Sequence, residues 1–532
     1  MRKILYVLLI ALMQCLDASA QFAESITAFT DKDCYAAGER IQVSVAVQDA
    51  AGSMSDLSKV AYVELCDARS MVAHAMVQLS DGRGWASMTL PSTMHSGFYQ
   101  LTAYTSNMRN IGTSVFHRSL VGVVNTFSLS SRDNVKFVAP KPKEMVIRQT
   151  YNAGQKVHVS LPKDSCLAIR TLSVVSHPLG ITMYDAPEPD AASDVADSAA
   201  SGMTADGGTV SVSHDEPFFM PELEGHIVRT MDASGSVVST RLSGVGKGLY
   251  IFDGKPDGDG NWSYITHSLN GSLPIVLNGY DASGAPVRMQ PLSPYAQVMP
   301  RALPLLEVGC TEAELKKRGA CAQNEMALQL SVKADTLKHV ETFLSRDPDY
   351  SYDVTEYTGF STIREALLEY VKGVSRRKME GRNCLFVSLT EEKGYSRFPA
   401  LVLLDGMPVY DVEEVLAYDA RYLNYIQVYG GSYTFGSTTC HGVISFITKK
   451  GLLSNYKLDA GTRLVRYDFP QNRPSLTLPQ GKSVSTVYWN PLVDALSVDF
   501  PAPTQPGIYQ VVLRGVDTRG NTFTTSSKLE VK

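Results

Sequence analysis

Apolar and polar residues alternate with a period of two along much of the chain, the signature of half-buried strands. The clearest run is Ile41–Val47, where Ile41, Val43, Val45 and Val47 fall on one face and Gln42, Ser44 and Ala46 on the other. Further strands are predicted at Val60–Leu65, Met71–Leu79, Trp85–Leu90 and Gly97–Tyr104, with Gly82-Arg83-Gly84 breaking the chain. Residues 22–125 therefore read as one β-sandwich. Residues 126–300 read as a second β-rich region of one or two sandwiches. Tyr151–Val159 echoes Tyr35–Val43: a Tyr, an Ala-Gly pair, a polar pair, then an alternating strand. Two related modules in tandem account for the echo. Later strands are predicted near Glu224, at Val237-Val238, at Leu249–Phe252 and at Ile275–Tyr280, the last entered through Pro274. Asp257-Gly258-Asp259-Gly260-Asn261 opens like a calcium loop. Ser268 stands where the loop's twelfth-position glutamate belongs, so a hairpin turn is predicted instead.

Residues 346–451 follow a different pattern. Ala400–Leu404, Tyr425–Tyr429 and Val443–Thr448 read as buried strands, with an Asp-Gly turn at Asp405-Gly406. Thr362 and Glu365 form a capping box, Ile363, Ala366, Leu367 and Tyr370 share one helical face, and Gly373 supplies a stop. A second short helix is predicted at Asp411–Tyr418. This is an α+β unit. Residues 301–345 are expected to connect, with a short helix at Thr311–Arg318 capped by Thr311, and Gln329–Val340 as further connecting structure. Residues 452–532 are expected to form a C-terminal sandwich-like domain. Its strand patterns lie at Lys457–Arg463, Lys482–Trp489, Ala495–Phe500 and Gly507–Gly515, with Pro501, Pro503 and Pro506 fixing a turn.

The start of the chain adds a destination. Met1-Arg2-Lys3, the apolar run Ile4–Met13 and Ala18-Ser19-Ala20 have the order of a secretory signal peptide, residues 1–20. Gln14 and Asp17 interrupt the run below the roughly 18–20 apolar residues of a membrane anchor. No other stretch is long and apolar enough, so no transmembrane span is expected. The 532 residues carry a formal net charge of −5, which argues against general attraction to nucleic acid. Asp185, Glu188, Asp190, Asp194, Asp197 and Asp206 share a stretch without Lys or Arg, so residues 185–210 are expected to be a disordered acidic loop. Cleavage would leave Cys34, Cys66, Cys166, Cys310, Cys321, Cys384 and Cys440. Cys34 with Cys66, and Cys310 with Cys321, are candidate disulfides, with small buried thiols as the alternative. The spacing excludes a Cys-x-x-Cys zinc site.

The run Phe398-Pro399-Ala400-Leu401-Val402-Leu403-Leu404-Asp405-Gly406-Met407-Pro408-Val409, then Ile426-Gln427-Val428-Tyr429, Gly436 and Gly442–Lys450, resembles the plug domain of TonB-dependent outer-membrane receptors of the Bacteroidota type. Asp33–Ile41 and Ser96–Tyr104 resemble a macroglobulin-type (MG2) sandwich. Phe219–Ile227 and Thr486–Pro491 are similar to parts of large Bacteroidota cell-surface proteins. The fold class these imply is multidomain and mainly β: tandem immunoglobulin- or macroglobulin-like sandwiches plus an α+β plug-like domain. The resemblance also implies export to the periplasm or outer membrane, with the cell surface as a further location. The family's barrel needs about 22 strands of about ten residues each. Residues 451–532 are too few for that, so transport is not expected.

No catalytic constellation emerges. His226 lies near Glu222 and Glu224, but Pro221 and Gly225 argue against a helix that would align them. Ser432, Ser437 and Cys440 share a glycine-containing loop without an identifiable base. Gly430-Gly431 lacks the phosphate-loop pattern, and the Cys-Gly-Glu-Gln thioester of protease-trapping macroglobulins is absent. The expectation is a non-enzyme without cofactor or metal: an envelope-associated binding or scaffolding protein. The alternative is an accessory subunit of a TonB-dependent uptake or export complex. Expected partners are envelope or outer-membrane proteins, or a small ligand or glycan, and not nucleic acid. Tyr418, Tyr422, Tyr429 and Tyr433, with Tyr425 among them, are the candidate contact residues, because a tyrosine ring buries area rigidly while its hydroxyl remains polar.

Overall fold

The alternating run predicted first becomes the strand Arg40–Asp49, whose Ile41, Val43, Val45 and Val47 are wholly buried. In this computed structural model the described residues are 23–128, 134–138, 147–161, 167–176, 178, 180–182, 218–246, 248–258, 260–335, 344, 346–357, 359–389, 394–435, 438–472 and 484–532. The expected signal peptide, the acidic loop 185–210, Cys166, Gly436 and Ser437 lie outside them. The chain divides into two units, one of residues 1–225, 295–334 and 470–532, the other of 226–294 and 335–469. It is mainly β and built of sandwiches. No described helix is long and apolar enough to cross a membrane, a statement about helices alone.

In the first unit, Arg40–Asp49 pairs with Glu24–Thr30 on one side and Arg83–Thr89 on the other. The facing sheet runs Cys34–Ala36, His117–Val124, Gly97–Thr105, Val60–Cys66, Met71–Gln78. Five of these eight strands are those the alternation predicted; Glu24–Thr30, Cys34–Ala36 and His117–Val124 were not among them. A second sandwich begins at Ile147–Tyr151 and is finished by the end of the chain. Its sheet runs Ile147–Tyr151, Thr522–Val531, Gly507–Asp517, Leu167–Ser176, Thr486–Asn490, and Lys156–Ser160 pairs with Ser497–Pro501. Val157, Leu172, Val174, Phe500, Tyr509, Val511 and Leu529 fill one common core. Residues 486–531 therefore complete the module opened at 147 instead of forming the separate domain expected over 452–532. Neither half can bury its apolar face without the other. The echo between Tyr35–Val43 and Tyr151–Val159 has a matching local structure. Each Tyr ends or nearly ends a short strand paired in parallel with a later one, and each Gly (Gly38, φ 87°; Gly154, φ 73°) turns the chain into the next strand.

The helix predicted at Thr311–Arg318 runs on through Glu312–Asp335. Thr311 and Glu314 cap it reciprocally: the Glu314 amide donates to Thr311 Oγ1 at 3.2 Å, and the Thr311 amide to Glu314 Oε2 at 2.7 Å. Gly319 reads as a breaker, yet it is a close approach, since a Cβ there would lie 3.1 Å from Thr126 Oγ1.

The candidate disulfides are contradicted: neither Cys34 with Cys66 nor Cys310 with Cys321 is bonded. Cys34 and Cys66 sit three strand spacings apart in one sheet, about 14 Å, beyond disulfide reach. Cys310 precedes the helix and Cys321 lies well along it, about 15 Å away at the helical rise.

The second unit holds the sheets of 226–294 and an α+β part. The predicted hairpin at Asp257–Asn261 forms, Lys255–Gly258 pairing with Asn261–Thr266. Asp257 Oδ2 accepts from Arg229 Nε at 2.8 Å and Ser263 Oγ at 2.7 Å. Arg463–Asp468 joins Ser272–Asp281 edge to edge, so the strand predicted at Lys457–Arg463 begins where that prediction ends. The α+β part has a sheet ordered Tyr350–Asp353, Leu423–Phe435, Thr438–Thr448, Leu401–Leu404, Met407–Pro408. Thr362 caps the helix Ile363–Glu369, whose Ile363 and Ala366 are buried. The Glu365 carboxylate returns to the Ser361 amide at 2.8 Å, one residue earlier than the capping-box reading expects. Asp405-Gly406 turns with φ of 49° and 86° between Leu404 and Met407, a mirror-type hairpin turn. The Asp405 carboxylate, 1% exposed, accepts from the Thr448 amide (2.8 Å), Thr448 Oγ1 (2.7 Å) and the Leu453 amide (2.8 Å), tying the turn to the corner that follows the last strand.

Candidate binding site

The Asp-Gly turn does more than reverse the chain. It delivers Met407–Asp411 into a cleft of about 300 Å³ within the second unit. Asp411 then caps the helix Val412–Leu416, its Oδ1 accepting from the Glu413 amide at 2.9 Å, and Glu414 stands on the first turn. Asn278, Tyr280, Gly284 and Pro286 form a second wall, and Tyr456, Leu458, Asp459 and Thr462 a third. Asp459 fixes its own loop by accepting from the amides of Gly461 (2.9 Å) and Thr462 (2.6 Å). Asn278 donates to Thr462 Oγ1 at 2.7 Å, which ties the second wall to the third.

Three phenol rings stand in these walls. Tyr280 and Tyr410 meet edge to face, with centroids 6.3 Å apart. The Tyr456 hydroxyl donates to Glu414 Oε2 at 2.9 Å. Tyr410 accepts a short hydrogen bond from the Arg241 guanidinium, which is itself held by Asp253 at 2.6 Å. Burial, then the neighbouring Tyr410 and Asp459, push the Tyr280 hydroxyl up to about 12. Burial and the Glu414 carboxylate push Tyr456 up as well. All three rings are neutral phenols at physiological pH. The lining holds three carboxylates, Asp411, Glu414 and Asp459, and no Lys, Arg or His.

The tyrosines predicted as contacts do not form one patch. Tyr429 is wholly buried, its hydroxyl donating to Gln427 Oε1 at 2.8 Å, and Tyr418 is 7% exposed with its hydroxyl on the Ser454 carbonyl. Tyr433 is half-buried, donating to the Gly430 carbonyl at 2.8 Å, and Tyr425 is half-buried too. Tyr422 is exposed. Tyr418 lies 6.2 Å from Tyr422 and 6.2 Å from Tyr456, so it backs the cleft wall from inside. Tyr429 and Tyr433 belong to a different apolar cluster along the same strand. The rings that line the cleft, Tyr280, Tyr410 and Tyr456, were not among the candidates. Tyr410 adjoins the quoted turn motif and the capping Asp411, the one signal that pointed to it.

The other suspected chemistry has structural partners. Glu222 accepts from the Tyr62 hydroxyl at 2.8 Å. His226 Nε2 lies 2.9 Å from the Tyr467 hydroxyl. Ser432 has the base that sequence reasoning did not find: His441 Nδ1 lies 3.1 Å from its Oγ, as cross-strand partners in one hairpin. Among the described residues no carboxylate orients that imidazole, and no three His, Cys, Asp or Glu side chains are grouped to hold a metal.

No protein-family model matches the chain and no curated protein resembles its sequence. Among solved structures, Escherichia coli alpha-2-macroglobulin activated by porcine elastase aligns with 96% of this chain and 44% of its own length, at 11% identity and a TM-score of 0.23. Dimeric latent PorU from Porphyromonas gingivalis aligns with 96% of this chain and 34% of its own, at 9% identity and a TM-score of 0.15. The Escherichia coli adhesin FdeC aligns with 51% and 66%, at 16% identity and a TM-score of 0.16. The chain thus spans less than half the length of the macroglobulin and of PorU.

Proposed function

We propose that this is an exported, non-catalytic binding or scaffolding protein of a bacterial cell envelope, in the periplasm or attached to the outer membrane. Its sandwiches act as spacers, and its α+β part, which resembles the plug of TonB-dependent receptors, provides the recognition surface. The observation that carries this reading is the cleft beside the Asp405-Gly406 turn. Its rings and carboxylates are positioned by caps, turns and ring contacts, and its lining holds no Ser, Cys, His or Lys. Rigid rings with one polar tip bind at small entropic cost.

The test is site-specific photo-crosslinking from position 410 of the full-length protein in intact envelopes, with Ile508, an exposed residue of the other unit, as the control position. A partner captured from 410 and not from 508 supports recognition at the cleft. Identical or empty patterns at both positions refute it. Co-purification with an intact barrel protein would favour the accessory-subunit role.

A further inference from the structure

Several carboxylates of the second unit are matched by arginine. Glu413 is shared by Arg364 (2.5 Å) and Arg376 (2.9 Å), Asp253 is held by Arg241, and Asp257 by Arg229. Those of the cleft are not. Asp411, Glu414 and Asp459 converge on one space with three rings, and among the described residues no Lys or Arg forms an ion pair with any of them. An uncharged occupant would leave that charge standing, whereas a flat cation would satisfy both features at once. A guanidinium stacks on ring faces and donates in a planar fork to carboxylates. The elevated Tyr456 hydroxyl, raised by burial and then by Glu414, Asp411 and Asp459, reports the same negative field. A space of about 300 Å³ suits one long side chain with little else.

We infer that the cleft between Tyr280, Tyr410 and Tyr456 takes the guanidinium of an arginine side chain on a partner polypeptide, held by ring stacking and by Asp411 and Glu414. This rests on the reading of the chain as a binding protein and names the chemistry of what it binds. The experiment is calorimetric titration of the full-length protein with a blocked Gly-Arg-Gly tripeptide. The Gly-Gln-Gly analogue, free arginine and maltohexaose are run in parallel. The arginine peptide should bind, weaken with added salt and outcompete the glutamine analogue. Glu414→Gln combined with Asp411→Asn, which keeps a capping side chain, should weaken it about tenfold with an unchanged melting temperature. No binding at millimolar peptide, or equal binding by the double variant, overturns the inference. Tighter binding of free arginine or of maltohexaose overturns the polypeptide or the cation assignment respectively. The two readings fail separately. A partner cross-linked from position 410 that the arginine peptide does not displace leaves the binding protein standing and removes its arginine ligand.

Discussion

Replacing Arg318 by methionine would strip the cation from a carboxylate that cannot reach water. Arg318 and Glu39 both have side chains with 0% exposure. Arg318 Nε lies 2.6 Å from Glu39 Oε1, and a terminal nitrogen donates to Oε2 at 2.8 Å. The remaining donors reach the carbonyls of Ser176 (3.1 Å) and Cys34 (3.3 Å), so one side chain on the helix Glu312–Asp335 joins both sandwiches of the first unit. After the substitution Lys32, 3.3 Å away and itself shared with Asp31, is the one cation left paired with Glu39 among the described residues. Breaking a buried pair by removing one partner costs about 3–5 kcal/mol, and the remaining lysine places the expectation near the lower figure. Burial already pushes the Glu39 carboxyl up against the pull of Arg318 and Lys32, so losing Arg318 raises it further. A carboxyl whose folded value exceeds its unfolded one contributes stability below the unfolded value and loses it as pH rises through the folded one. The deficit of the variant should therefore be smallest near pH 4 and widen toward neutrality. Urea unfolding of the full-length protein carrying Trp262→Phe isolates the signal, because Trp85 and Trp489 both lie in the first unit. Adding Glu39→Leu should recover most of the loss, since an apolar pair removes the stranded charge. A cost under about 1 kcal/mol, no dependence on pH, or a double variant as weak as the single would refute the reasoning.

Asp405→Ala deletes three hydrogen bonds and puts a Cβ-bearing residue without a polar tip at φ 49°; it should cost about 3 kcal/mol, with Asp405→Asn well below that, read by thermal unfolding of the second unit. Tyr429→Ala should cost about 3–5 kcal/mol because the ring is wholly buried, whereas Tyr422→Ala, on the turn before the strand, should stay within about 0.5 kcal/mol; equal melting temperatures would show that Tyr429 is wrongly placed in the core. Burial holds His117 down at about 4 against an ordinary 6.5, and its Nε2 has no hydrogen-bond partner among the described residues. The unfolded chain binds that proton first, so stability should fall as pH drops from 6.5 to 4, by on the order of 3 kcal/mol at the lower end. A His117→Gln variant whose acid-unfolding profile matches the parent's would contradict it.

What the sequence reveals is local. Period-two alternation placed Ile41–Val47 and its neighbouring strands because a sandwich strand records its burial residue by residue. The capping box at Thr362 and the Asp-Gly turn at 405 were visible because their hydrogen bonds close within a few positions. The second sandwich was not legible as one body. Its strands at 147–176 and 486–531 each carry a sound pattern, and nothing in either says that the partner lies across more than three hundred residues. Arg318 was likewise invisible, since a charged residue near a glycine reads as a solvated helix end until Glu39 is brought against it.

The cleft follows from the same limit. Tyr418, Tyr422, Tyr429 and Tyr433 drew notice because they crowd one stretch of sequence, but that stretch passes from the helix Val412–Leu416 through the turn Ala420–Tyr422 into the strand Leu423–Phe435. The strand carries Tyr429 into the core, while Tyr422, on the turn before it, stays exposed. A recognition surface needs rings that converge, and Tyr280, Tyr410 and Tyr456 converge from three separate segments. The sequence marks them only through what anchors each one: the Asp-Gly turn and helix cap around Tyr410, the Asp281 hairpin after Tyr280, and the Asp459 loop after Tyr456. Each anchor is an aspartate side chain accepting from nearby amides within five residues of a tyrosine. If recognition in this protein lies at the cleft, breaking one of these local turns should weaken binding without touching a ring. Asp281→Ala, at a hairpin turn whose aspartate does not itself line the cleft, is the cleanest such change. Undiminished capture from position 410 in that variant would separate the turns from the site.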